Sequence, residues 1–587
     1  METQLKEQIA QAISDAITQL HSEGKISEEY KGDIQVTRSK DANHGDYASN
    51  IALVFAKQIS LSPRDFAQLL SGQLESNPLI EKIEIAGPGF VNFFVIQTNH
   101  TQIVQQILTN KDKFGENQQG KNQSIHIEYV SANPTGPLHV GHGRGAAYGA
   151  TLANLYLSNG YQVHREYYVN DAGRQMDILA TSVWLRYLEL CGAELTFPSN
   201  GYKGDYIWDI AATAHRTHGE LYFTEANSLF SDIPKDEPEG GDKELHIDAL
   251  IVQAKETLNH DGYSIFFNLA IETILSDIKD DLHLFGVDYE NWYSEKSLFG
   301  NNKIENLVNQ LKSSKHIYEK NGALWFESSK LGDEKDRVVI RENGQPTYFA
   351  SDIAYHVDKF SHGYDKIINI WGADHHGYIA RVRAALRALS LDDSKLDVLL
   401  VQFANLYRGN VKQQMSTRSG EFVTLRALRK EVGSDAARFF YVMRKSEQHL
   451  DFDLELATSS SNENPMYYVQ YAHARICSVL RQSDKALNTN QSNNLSALLN
   501  SESEIGLMKK LADYPELISS ACTKQAPHLL VNYLRELAQK FHGYYNETQF
   551  LVESLPLRNA RLLLIEATRQ VIANGLLILG VTAPEKM

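Results

Sequence analysis

Residues 124–165, SIHIEYVSANPTGPLHVGHGRGAAYGATLANLYLSNGYQVHR, constrain the fold more than any other stretch. Ser124 to Val130 sets Ile125, Ile127 and Tyr129 against polar neighbours, the two-residue period of a strand. Pro134, Gly136 and Pro137 stop it, so the chain must turn before Leu138. From Arg144 onward, small and apolar residues (Ala146, Ala147, Ala150, Leu152, Leu155, Leu157) run at helical spacing until Asn159-Gly160. His139-Val140-Gly141-His142 therefore falls where a helix begins at the carboxyl end of a strand. In a doubly wound α/β sheet that place holds a nucleotide: the helix start offers free amides to phosphate, and glycine lets the backbone come close. Two imidazoles separated by Val-Gly can both donate to phosphate oxygens, and Gly141 leaves room for adenine or ribose. A histidine pair that merely satisfies a buried helix start is the bland alternative.

At 587 residues the chain exceeds one core, and three domains are expected. Residues 1–115 read as an α+β module in which at least half of Phe90, Phe93 and Phe94 belong to a core. Residues 116–430 read as the sheet domain, interrupted by an insertion over about 175–330 whose tract 231–244 (SDIPKDEPEGGDKE) is a solvated loop. Residues 431–587 read as an α-helical bundle. No run approaches twenty apolar residues, and the amphipathic METQLKEQIAQAISDAI is no signal peptide, so a cytoplasmic protein without a membrane partner is expected. Three scattered cysteines make neither a disulfide framework nor a zinc cluster. The net charge of -16 argues against a nucleic-acid partner for the chain as a whole. Residues 460–587 depart from it, with twelve Lys/Arg against eleven Asp/Glu. Tyr467, Tyr471 and Arg475 on one helix there would stack RNA bases or fill a core, and the sequence leaves both open.

Three further motifs carry chemistry. Tyr348 and Asp352, four apart at a helix start, put a phenol and a carboxylate on one face. IINIWGADHHGYIARVRAALRAL repeats the strand, glycine turn and helix of the first segment, as the second half of a doubly wound sheet would. Adjacent histidines on its turn, with no further ligand nearby, argue against a metal at Asp374-His375-His376. Gln414-Met415-Ser416-Thr417-Arg418-Ser419-Gly420 is a polar loop before a strand-like FVTL.

IEYVSANPTGPLHVGHGRGA resembles the HIGH-motif segment of class I aminoacyl-tRNA synthetases, and its surroundings resemble the arginyl-tRNA synthetases in particular. HGDYASNIALVFAK and GPGFVNFFV are similar to that family's N-terminal domain, which touches the tRNA D-loop. SDAARFF, NPMYYVQYAHAR and LGVTAPEKM are similar to its anticodon-binding domain. The resemblance implies a Rossmann-like catalytic domain between these two, and a monomer that attaches L-arginine to tRNA(Arg) through an arginyl-adenylate. It uses ATP with Mg²⁺, has no protein-bound structural metal, and activates arginine only with tRNA bound. His139 and His142 would meet the phosphates, with Gly141 and Gly145 beneath the nucleotide. Met415 and Ser416 are what remains of the second signature, KMSKS; both lysines are replaced, by Gln414 and Thr417, and Arg418 or Lys412 would substitute. For arginine the expected contacts are Glu128, Tyr348 and Asp352 on the guanidinium and Asn133 on the α-amino group, with one of Asp374, His375 or His376, of which His376 is taken. Tyr467, Tyr471 and Arg475 would meet tRNA. Two other readings are a nucleotidyltransferase with an HxGH site, against which the extra domains speak, and a synthetase-like chain that has lost activity and retains RNA.

Overall fold

A computed structural model describes residues 2–39, 44–95, 98–300, 302–409, 411–413, 423–483 and 498–587. The chain forms two compact units. One comprises Gln118–Met466 with Ile578–Val581, the other Met1–Asn117 with Tyr467–Leu577 and Thr582–Met587.

In the second half of the N-terminal unit's chain order lies the helical segment, and in its first half a four-stranded antiparallel sheet. Strands β1 (Val36–Arg38), β2 (Tyr47–Ser49), β3 (Ile80–Ala86) and β4 (Phe90–Val95) run in the order β1-β2-β4-β3. Alternation along β4 divides the phenylalanines: Phe93 is buried, Phe94 half-buried and Phe90 43% exposed. The helices Pro465–Arg481, Glu502–Ala512, Tyr514–Thr523, His528–Glu547 and Leu555–Leu579 follow. They pack with the N-terminal module as one body: Lys509 pairs with the buried Asp46 at 2.5 Å, Lys6 pairs with Glu516, and Phe114 stacks on Tyr514. The expected separation into an N-terminal domain and a terminal bundle is thus a division of sequence and not of packing. Leu555–Leu579 is long and apolar enough to cross a bilayer, but 72% of its apolar window is buried in the protein. It also carries Arg561 and Arg569 in ion pairs with Glu504 and Glu566, the marks of a core helix.

The other unit is built on a five-stranded parallel sheet. Its strands are β5 (Ser124–Tyr129), β6 (Gln162–Val169), β7 (Asn291–Ser294), β11 (Lys366–Gly372) and β12 (Leu396–Val401), in the order β12-β11-β5-β6-β7. The chain winds outward on one side of β5, returns, and winds outward on the other. Between β7 and β11 lie the antiparallel strands β8 (Ile317–Lys320), β9 (Ala323–Phe326) and β10 (Arg337–Ile340). A third sheet joins β13 (Ala404–Arg408) to β14 (Val411–Lys412) as a hairpin and to β15 (Leu450–Asp453) in parallel.

Four expectations change. The insertion expected over 175–330 contains β7, an edge strand of the central sheet whose four residues are too short to show a period. Likewise β15 lies in the stretch expected to be all helix. The tract 231–244 is mostly exposed but anchored, because the buried Asp236 accepts hydrogen bonds from the Ser199 and Glu237 amides at 2.7 and 2.8 Å. FVTL gives no strand in its described part: Thr424 makes one bridge to His139 and then caps the Leu425–Val432 helix.

Helix Val140–Ser158 begins within the His139-Val140-Gly141-His142 motif and lies against β5. Gly149 allows that approach, since a Cβ there would sit 2.3 Å from the Tyr129 ring. Arg144 is buried and donates to the carbonyls of Gln402, Gln448 and Lys445 at 2.7, 2.7 and 2.8 Å. It holds two loops onto the helix. Arg144→Met leaves those carbonyls without partners and should lower the unit's stability by about 3 kcal/mol, read as a lower urea midpoint.

Candidate active site

His139 and His142 form a reciprocal cap on the Val140–Ser158 helix. His139 Nδ1 accepts from the Gly141 amide at 3.1 Å, and His142 Nδ1 accepts from the His139 amide at 3.3 Å. The rings stack with centroids 3.7 Å apart. With Nδ1 accepting in both, the proton of each neutral ring sits on Nε2. Burial lowers the His139 pKa; burial and then the neighbouring His139 push His142 down to about 3. Both histidines are therefore uncharged donors at neutral pH. Gly141 is required by its neighbours, as a Cβ would meet the His139 ring at 2.8 Å and Phe403 at 3.1 Å, whereas Gly145 faces open space. Phe403, 45% exposed, flanks this surface. The chain comes back to the same place after Gln413: Val140 N donates to Val423 O at 3.1 Å and Leu425 N to Leu138 O at 2.8 Å.

A cavity of about 370 Å³ opens at the carboxyl ends of β5 and β11, where the winding direction reverses. That is the ligand position of a doubly wound sheet. Glu128, Asn133, Tyr348 and Asp352 all line it. Thr347 caps the Tyr348–Ser361 helix through the Ala350 amide, which puts Tyr348 on the rim and Asp352 one turn deeper. Asn133 is held between Asn170 and Gln175, each at 2.9 Å. His376 is not in the wall. The turn Ala373–His375 directs His375 there instead, beside Trp371 and Tyr378, and leaves His376 exposed. Met415, Ser416 and Arg418, with Gln414 and Thr417, lie outside the described residues, and Lys412 is exposed on β14.

The cavity's electrostatics come from three carboxyl groups. Glu128 is buried and has a cation of its own, with Lys359 Nζ donating to Oε2 at 2.5 Å. Burial works to raise its pKa, but the Lys359 charge and hydrogen bond outweigh it and hold Glu128 below the usual carboxylate range. Asp352 has no ion pair among the described residues, and burial, then the charges of Glu295 and Glu128, push it up to about 7. Glu295 follows β7, lines the same cavity, and has an unpartnered buried Oε2. Burial pushes it, too, up to about 7. Nothing in NWYSEKS marks Glu295 as functional; only the sheet order brings it here. Asn170, Gln175, Tyr355 and His356 in the wall also carry no sequence signal of their own.

Residues 3–95 match the arginyl tRNA synthetase N terminal domain, and 103–191 with 260–459 match the tRNA synthetases class I (R) catalytic domain. Residues 469–587 match the DALR anticodon binding domain. An arginine–tRNA ligase from Thioalkalivibrio sulfidiphilus is 56% identical over 99% of this chain and 100% of its own length, and one from Hydrogenovibrio crunogenus is 54% identical over the same shares. The chain belongs to the arginyl-tRNA synthetase family. The Thermus thermophilus arginyl-tRNA synthetase structure shares its fold, with a TM-score of 0.72 at 23% identity over 99% of this chain and 100% of that one. In this synthetase chain the DALR match starts within a half-buried aromatic ladder: Tyr467 stacks on Tyr471, and Arg475 lies 4.7 Å above Tyr471 and 4.3 Å above Tyr545.

The two raised carboxyl groups set a pH dependence. The folded synthetase binds more protons than the unfolded chain between about pH 4 and 7, so their contribution to stability is present below that window and lost as pH rises through about 7. Asp352→Asn should therefore raise the melting temperature at pH 8 and leave it nearly unchanged at pH 4, measured by calorimetry across that range.

Proposed function

We propose that this chain attaches L-arginine to tRNA(Arg) through an arginyl-adenylate, with the switch-point cavity as its arginine site. The observation that carries this reading is a pair of carboxyl groups without an ion pair among the described residues, the half-buried Asp352 and the buried Glu295, facing one cavity beside the capped helix start. A buried anion without a partner is costly, and a ligand cation removes that cost. A guanidinium is planar and offers five donors, so it can satisfy two carboxylates at once, with the Tyr348 hydroxyl at the rim. An ammonium sets its three donors on one atom and lacks the planar fork, which favours arginine over lysine.

This assignment moves Glu128 from the guanidinium to the other end of arginine. Glu128 is already neutralised by Lys359 and lines the cavity beside Asn133, which suits it to the α-ammonium rather than the guanidinium. The arginine carboxylate then attacks the α-phosphate of ATP, which enters as its Mg²⁺ complex, and pyrophosphate leaves. His139 and His142 donate through Nε2–H to the phosphates, with Gly141, Gly145 and Phe403 forming the nucleotide surface. Charge stabilisation by such fixed donors contributes about 2.7–4 kcal/mol each. Met415 and Ser416 are assigned to the nucleotide as the remnant of the second signature, with Arg418 or Lys412 in place of its lysines. The terminal ribose hydroxyl of tRNA attacks the adenylate, while Tyr467, Tyr471 and Arg475 hold tRNA elsewhere. The enzyme works in the cytoplasm as a monomer.

Pyrophosphate exchange with each of the twenty amino acids, with and without tRNA, should respond to arginine alone. Asp352→Asn and Glu295→Gln should each raise the KM for arginine at least tenfold, since an unpaired buried charge partner costs about 2 kcal/mol or more. The smaller effect should come from Glu128→Gln. Exchange with another amino acid, or an unchanged KM in both variants, would remove the assignment.

A further inference from the structure

At the opposite end of the same sheet face, His126 on β5 and His164 and Glu166 on β6 converge. Parallel register sets His126 beside His164, and Glu166, two residues on, points to the same side. One ligand atom from each lies within 4.8 Å of the others. His126 Nε2 is 3.0 Å from Glu166 Oε1, and His164 Nε2 is 3.9 Å from Glu166 Oε2. A tetrahedral ion with bonds of about 2.1 Å spaces its ligands about 3.3–3.4 Å apart, so shifts of about half an ångström would complete the set. The group borders a cavity of about 330 Å³ separate from the arginine cavity.

We infer that His126, His164 and Glu166 form a binding site for a zinc-like transition-metal dication, with water as the fourth ligand. Two features distinguish the cluster from an ordinary hydrogen-bonded one. His126 is 1% exposed, yet its Nδ1 has no partner, and His164 Nε2 lies beyond hydrogen-bonding distance from Glu166 though within reach of a shared ion. Coordination through His126 Nε2 requires only the other neutral tautomer, its proton moved to Nδ1, so no proton leaves the protein. Two ammonium groups border the cavity, and each is matched: Lys359 by Glu128 at 2.5 Å and Lys303 by Asp358 at 2.6 Å. Glu166 also accepts from Tyr355 and Asn291 at 2.6 Å each, which fixes its carboxylate plane as an outer shell fixes a ligand. The His164 side chain, one-third exposed, is the way in.

The full-length protein, stripped with a chelator and dialysed, should bind one Co²⁺ with the visible d–d bands of a low-coordinate ion, and Zn²⁺ should displace it. His164→Ala, at the exposed edge and away from both core and arginine cavity, should abolish the bands with its melting profile retained. His164→Cys should restore binding and add a thiolate-to-cobalt charge-transfer band, which a purely structural role for His164 would not produce. His376→Ala, at the other histidine-rich turn, should leave the bands intact. Absence of bands in the unaltered chain, their survival in His164→Ala, or their loss in His376→Ala would overturn the site.

Discussion

The buried bond from Lys359 to Glu128 fixes the catalytic unit. A parallel sheet is covered on both faces and is ordinarily aliphatic on both. Here one face of β5, β6 and β11 presents His126, Glu128, Glu166 and Asn369, all buried. Burying these groups is tolerable because each has at least one hydrogen-bond or ion-pair partner, although His126 Nδ1 has none. Lys359 bridges Glu128 and Asn369, His356 contacts Asn369, and Glu166 receives His126, Tyr355 and Asn291. Loss of one partner from such a set costs about 3–5 kcal/mol, whereas sliding an aliphatic face costs far less. The Tyr348–Ser361 helix, which supplies Lys359, Tyr355 and His356, is thereby held in one register against the sheet.

Asp352 stands on that same helix, and its unpaired state follows from the register. Moving toward the carboxyl ends of the strands, the charges change from matched to unmatched: Glu166 and Glu128 have ion-pair partners, Asp352 and Glu295 have no ion pair among the described residues. The cavity is thus a deficit of positive charge placed where a doubly wound sheet binds ligands. On the proposed reading, its selectivity comes from the shape of that deficit, two carboxyl groups that a flat fork of five donors can meet together.

What could be read in advance was what is local in sequence. The strand, loop and helix around His139 and His142, the repeated design at IINIWGADHHG, and the Tyr348–Asp352 spacing each lie within a few turns of chain, so propensity and period expose them. Glu295 escaped because it follows β7, a four-residue strand reached only after the long helical excursion from Arg174 to Leu284. Lys359 escaped for a different reason. A lysine in the last turn of an amphipathic helix reads as a solvated dipole partner, and only the carboxylate across the sheet makes it a buried one. The union of the N-terminal module with the terminal helices rests on pairs such as Asp46 with Lys509, distant in sequence and ordinary in type.

On the proposed reading, the histidine pair lets an acidic chain hold polyanions without local positive charge. At a net charge of -16, long-range attraction for ATP is unfavourable. Burial keeps His139 and His142 neutral, so what they offer is direction: two Nε2–H donors set by a cap that also satisfies the helix start. Such donors need no reorganisation as charge develops, and they are unaffected by the carboxyl-rich cavity nearby, which would bind a charged imidazolium in place of substrate. The two backbone bonds that return Val423 and Leu425 to Leu138 and Val140 anchor a second segment to the same capped turn. Phosphate donors and the chain that follows the second signature therefore share one rigid reference, the amino end of a single helix.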